Sequence, residues 1–212
     1  MSGAATSRRA QREATPRQGD RREQAILEAT RSLLGRAPFA DLTMGQIAAT
    51  AGVPRTSTYF YFADKTQILL VLYSDVLGQM TAELDRWFAD PDKHAERWSR
   101  ATIAAAVNVA VRNADVMRAA LDSRGTSPEI DAALNGYFDR AADRSAQIIE
   151  RERAAGLASP GPAAASLARA LMHMTLQSIH ELLRTGPGAA EADELIETLT
   201  VIWGRGTGTA PA

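Results

Sequence analysis

Apolar residues return along this chain at steps of three and four rather than two. Ala25, Ile26, Ala29 and Leu33, with Thr30 and Leu34 beside them, mark one face of a first helix that runs from Asp20 and stops near Gly35 and Pro38. A longer stripe through Ile68, Leu69, Leu72, Val76, Met80, Leu84 and Trp87 predicts a connector helix from Asp64 that ends before Pro91. Further helical patterns cover roughly 93 to 112, 115 to 123, 128 to 155, 163 to 185 and 189 to 204, with breaks at 125 to 128, 156 to 162 and 186 to 188. With two short helices between the first and the connector, the expectation is an all-α fold of about nine helices. Residues 1 to 19 hold almost nothing large and apolar, so they predict a flexible basic arm.

The densest local signals lie in Leu42-Thr43-Met44-Gly45-Gln46-Ile47. Thr43 can cap a helix while Gln46, three residues on, reaches back to it, and Leu42 and Ile47 sit where a hydrophobic staple closes the same helix start. That helix ends at Gly52, which suits a left-handed turn, and Pro54 can open the next one because its missing N–H would have no partner there. A third helix from Pro54 to about Phe60 follows, and Asp64 with Gln67 repeats the cap spacing for the connector. Ala48, Ala51, Gly52 and Val53 have the spacing of a helix-turn-helix, with a small residue at the crossing and an apolar plug at the corner.

In such a unit the second helix enters the major groove. Here it carries Arg55, Thr56, Ser57, Thr58 and Tyr59: short hydroxyl side chains that let the backbone approach bases, beside one Arg able to fork onto guanine. Thr43, Tyr59, Tyr61 and Lys65 suit phosphates, Lys65 with the added support of the helix N-terminus it opens. For Tyr59 and Tyr61 packing in the small core is an equal alternative, and for Phe62 packing is the expected role.

Charge sharpens this picture. The formal net charge of -1 hides a basic end: up to Lys65 there are ten Lys/Arg against six Asp/Glu, and beyond it fourteen against nineteen. The basic end is the candidate for a polyanion partner. Arg8, Arg9, Arg12, Arg17, Arg21 and Arg22 either add phosphate contacts or form a solvated tail. Absence of cysteine excludes a disulfide framework and any thiolate nucleophile or ligand. No apolar run reaches the length of a membrane span and no signal-peptide pattern appears, so the expected location is the cytoplasm. His173, Gln177, His180 and Glu181 have steps of three and four, but one helix supplies at most two good ligands, and no metal is expected. No nucleophile, base and orienter trio or phosphate loop is visible, so neither an enzyme nor a cofactor is expected.

Leu42-Thr43-Met44-Gly45-Gln46-Ile47-Ala48, followed by Ala51-Gly52-Val53-Pro54-Arg55-Thr56-Ser57-Thr58-Tyr59-Phe60-Tyr61-Phe62-Ala63-Asp64-Lys65, resembles the signature of the TetR family of regulators. Pro54 stands where that family commonly has Ser, and Thr58 where it usually has a larger apolar residue. Thr126-Ser127-Pro128-Glu129-Ile130 and Val201-Ile202-Trp203 are similar in layout to its EthR-like branch. The resemblance implies a DNA-binding head over 20–65 and a ligand-binding and dimerisation body over 66–206, with the last two long helices forming a four-helix interface between two subunits. Stripes through Leu167, Ala170, Leu171, Met174 and Ser178, and through Leu195, Ile196, Leu199, Ile202 and Trp203, allow this.

It also implies an effector pocket. Candidate lining residues are Trp98, Ile103, Val107, Val111, Met117 and Leu121, with Leu134, Tyr137, Phe138, Met172, Thr175 and Trp203, bulky side chains in Ala-rich helices. The function expected is a homodimeric repressor that leaves a near-palindromic operator when a small apolar effector binds. A helical sensor or carrier without DNA binding, and a ligand-dependent activator, are the alternatives.

Overall fold

In a computed structural model the chain is described over residues 18–88, 98–186 and 188–208. Within these residues every regular element but one 3-10 turn is an α-helix, and no strand occurs. The chain divides into two compact units, one running to Leu69 and the other beginning at Leu70.

The first unit is built from α1 (Gln18–Leu34), a 3-10 turn (Phe39–Asp41), α2 (Met44–Ala51), α3 (Arg55–Tyr61) and the opening of α4 (Lys65–Phe88). Helix α1 starts two residues before the expected Asp20, so Gln18 and Gly19 belong to it rather than to the basic arm. Positions 1–17, with the rest of that arm, lie outside the described residues. The apolar stripe of α1 buries Ile26 completely, and α2 contributes Ile47 and α4 Ile68 and Leu69 to the same small core. A buried hydroxyl needs a partner, and Thr30 finds one by donating to the Ile26 carbonyl at 2.9 Å.

The second unit comprises the rest of α4 with α5 (Arg100–Arg112), α6 (Ala114–Asp122), α7 (Pro128–Ala154), α8 (Ala164–Thr185) and α9 (Ala189–Thr207). Helix α8 packs along α7 and also meets α5, α6 and α9, while α9 lies on α5. Ser127 caps α7 by accepting from the Ile130 N–H, and Pro128 follows at the position that needs no N–H. Gly206 lets α9 approach α8: a Cβ there would stand 3.4 Å from Leu171. Helix α9 extends three residues past the expected 204, because the buried Thr207 hydroxyl donates to the Trp203 carbonyl at 2.8 Å and Gly208 then turns left-handed.

The expected dimer stripe on α9 is divided by packing. Ile196, Leu199 and Trp203 point into the unit, whereas Leu195 and Ile202 are half-buried and Val201 is exposed. On α8, Leu171 is buried and Ala170 is exposed, with Leu167, Met174 and Ser178 in between.

Candidate functional site

The first site begins with how α2 is held. The Gln46 N–H donates to Thr43 Oγ1 at 3.2 Å, and the Thr43 N–H donates back to Gln46 Oε1 at 2.8 Å, so the capping box forms as the spacing predicts. At the other end Gly52 adopts φ 66° and ψ 27°. Its N–H donates to the Ala49 carbonyl at 3.3 Å and the Val53 N–H to that of Ala48 at 3.1 Å, the paired bonds of a Schellman turn. No atom lies within 4 Å of where a Cβ would stand on Gly52, so backbone conformation alone selects glycine here.

The turn releases the chain into α3. Pro54 precedes this helix rather than opening it, and its carbonyl accepts the Ser57 and Thr58 N–H groups at 2.9 and 3.1 Å. Arg55, Thr56, Tyr59 and Phe60 are exposed and Ser57 is half-buried. Arg55 Nη2 lies 3.4 Å from the Tyr59 hydroxyl, one turn on, and its guanidinium carbon 5.8 Å from that ring's centre. Tyr61 is half-buried, with the Phe60 ring edge-on to it at 5.3 Å.

Two expected DNA contacts need correction. Thr58 is fully buried and its hydroxyl is 3.4 Å from the Pro54 carbonyl, so it faces the small core and no base. The Lys65 ammonium donates to the carbonyls of Phe39, Ala40 and Leu42 at 2.9, 2.7 and 2.8 Å and lies 4.8 Å from the centre of the Phe39 ring. An ammonium has three donors, and all three are committed. At the start of α4, Asp64 Oδ1 accepts the Gln67 N–H at 2.9 Å, the cap that the spacing predicts. Lys65 therefore ties the start of α4 to the segment before α2 and has no donor left for a phosphate. Thr43 is exposed, but its oxygen is engaged with Gln46.

The second site is a cavity of about 50 Å³ in the second unit. Seven of the twelve expected lining residues meet there: Trp98, Ile103, Tyr137, Phe138, Met172, Thr175 and Trp203. Four of the others, Val107, Met117, Leu121 and Leu134, are buried core away from it, and Val111 is half-buried and also does not line it. Sequence reasoning missed Met80, Leu84, Thr102, Ser145, Ile179 and Leu176 in the wall. The three- and four-residue steps from Met172 through Leu176 to Ile179 are the signal that could have found the α8 members.

Trp98 and Trp203 stack with ring centroids 4.6 Å apart and planes 14° from parallel. Trp203 Nε1 donates to Thr175 Oγ1 at 2.9 Å. Burial pushes the Tyr137 phenol above its ordinary range, so it stays neutral. Among the described residues no charged side chain lines this wall; its polar character comes from the hydroxyls of Thr102, Ser145, Thr175 and Tyr137 and the two indoles. The accessible volume is well below the several hundred Å³ of a site holding a drug-sized molecule.

The histidines of α8 have local partners: His173 lies against the Phe138 ring at 4.0 Å, and His180 Nε2 is 3.4 Å from Asp122 Oδ1. Among the described residues no helix is long and apolar enough to cross a membrane.

Residues 26–72 match the family "Bacterial regulatory proteins, tetR family", and residues 98–206 match "Transcriptional regulator EthR, C-terminal domain". The chain is 30% identical over 196 residues to the HTH-type transcriptional regulator EthR of Mycobacterium tuberculosis, covering 92% of this chain and 90% of that protein. Among solved structures, the transcriptional regulator FadR from Bacillus subtilis in complex with stearoyl-CoA superposes with a TM-score of 0.71 at 14% identity, covering 89% of this chain and 99% of that one. The Thermus thermophilus FadR, a TetR-family transcriptional repressor in complex with lauroyl-CoA, gives 0.63 at 20% identity, with 90% and 97% covered.

Proposed function

The chain belongs to the TetR family of bacterial transcriptional regulators, and from that premise we propose that it is a homodimeric repressor released from a near-palindromic operator by a neutral, apolar effector. The observation that carries this reading is the exposed face of α3, held out past the Gly52 turn with Arg55, Thr56 and Tyr59 toward solvent. Two such helices about 34 Å apart reach successive major grooves, which requires two copies of the chain. The outward residues of α8 and α9, among them Met174, Leu195 and Ile202, are the proposed seam. A regulator of this kind works where the chromosome is, in the cytoplasm.

The wall chemistry supports the effector class. A charged ligand would lose its hydration against apolar side chains without gaining an ion pair from the described wall residues, whereas a neutral lipophile loses little. The relatives solved with stearoyl-CoA and lauroyl-CoA bind ligands with long acyl chains. For this chain the acyl-like part of such a molecule suits the cavity, and its charged head does not. Helix α4 is continuous from Lys65 to Met80 and Leu84 in the cavity wall, so an effector that moves these side chains biases the helix that follows the groove-reading turn.

Selection from a randomised duplex pool tests the reading. Enrichment of an inverted repeat with half-sites about one helical turn apart supports it; recovery of no preferred sequence, or of an asymmetric one by a monomer, contradicts it.

A further inference from the structure

Phe60 is 83% exposed, the most open large apolar side chain among the described residues. It lies on the same stripe of α3 as Thr56, four residues earlier, beside the stripe of Arg55 and Tyr59. Thr58, between them in sequence, is buried, so the aromatic is held on the side turned away from the core. Its edge-on contact with Tyr61, centroids 5.3 Å apart and planes at 86°, restricts the ring's orientation.

We propose that Phe60 covers a thymine 5-methyl group in the major groove and so sets part of the operator sequence. The inference rests on the groove-reading function proposed above and adds a reading residue to it. The thymine methyl is the one apolar feature a base pair presents in that groove, and apolar side chains are its usual contacts. Arg55 on the same face supplies the complementary chemistry for guanine. Duplex DNA is favoured over another protein as the occupant because the patch continues the helix-turn-helix face and the chain up to Lys65 carries ten basic against six acidic residues.

The test uses the full chain and the duplex enriched from a randomised pool, with each thymine replaced in turn by deoxyuridine, which removes the methyl and preserves pairing. Wild-type protein should lose about fourfold in affinity at one or two thymines of each half-site, the factor expected for one uncovered methyl group. Phe60→Ala should bind the unmodified duplex more weakly and show no further loss at those positions, while Phe60→Leu should keep part of the penalty. Unchanged melting temperature and unchanged affinity for random duplex show that a variant remains folded; if Phe60→Ala melts early, Phe60→Leu carries the comparison. The proposal is overturned if Phe60→Ala matches wild type on the unmodified duplex, or if the deoxyuridine losses persist in it. It is also overturned if the substitution abolishes only self-association, which would make a second copy of the chain the occupant. Enrichment of no sequence by wild type would instead remove the groove-reading function itself, and Phe60's role with it.

Discussion

The indole of Trp203 lies 4.6 Å from that of Trp98 and nearly parallel to it, while its Nε1 donates to Thr175. The pair fills space that the proposed effector would need, leaving an accessible volume of about 50 Å³. Trp98→Ala should therefore lower unfolding free energy by about 3 kcal/mol and at the same time enlarge the cavity. A neutral long-chain amide should then raise the melting temperature of the variant more than that of wild type. Equal ligand-induced shifts in the two proteins would separate the stack from the effector site.

Lys65 gives a sharper contrast between structural and DNA-contacting roles. Lys65→Met removes the donor from three carbonyls and should cost about 2 kcal/mol in urea unfolding. The folded variant should keep the wild-type salt dependence of DNA binding. A phosphate contact would instead flatten that slope by about one unit with little change in stability.

The turn can be tested without touching the groove face. Gly52→Ala meets no neighbouring atom, so its effect should be the left-handed backbone cost of about 1 kcal/mol, with Gly52→Asn costing less. Thr43→Ala should cost a similar amount by leaving the Gln46 N–H without its cap. Urea denaturation of the three variants measures both effects.

Alkaline pH should destabilise the second unit through two phenols. Burial raises Tyr73, with the neighbouring Tyr137 adding to the shift and Arg124 opposing it, and burial alone raises Tyr137. Below the ordinary value of 10.0 folded and unfolded chains are both protonated at these groups, so they add no pH dependence. Above it the unfolded chain ionises first, and stability falls as pH rises toward the folded values. Phenolate absorbance should show two tyrosines ionising only with unfolding, and Tyr73→Phe with Tyr137→Phe should remove that part of the alkaline loss.

The local parts of the head were legible because their hydrogen bonds span three residues, as in Thr43 with Gln46 and Asp64 with Gln67. Lys65 was misread because its partners lie 23 to 26 residues away, where no spacing rule reaches. Thr58 stands where the resembled family has a larger apolar residue, and that departure already pointed to the core position it occupies. In the run Tyr59-Phe60-Tyr61-Phe62 the packing expected of Phe62 matches its 3% exposure, whereas no spacing signal marks Phe60 as the open member. The cavity was half legible for a related reason: Leu134 and Met117 have the residue types of a pocket wall, and tertiary packing alone turns them into core.

Coupling between the two sites is the central physical claim, and equilibrium linkage measures it directly. The affinity of a neutral long-chain amide that raises the melting temperature should be measured by titration calorimetry with and without saturating operator duplex. An effector that releases operator must bind the operator complex more weakly, by the same factor by which it weakens operator binding. Identical amide affinity in both titrations would mean that the cavity and the groove-reading helix act independently, contradicting the proposed switch.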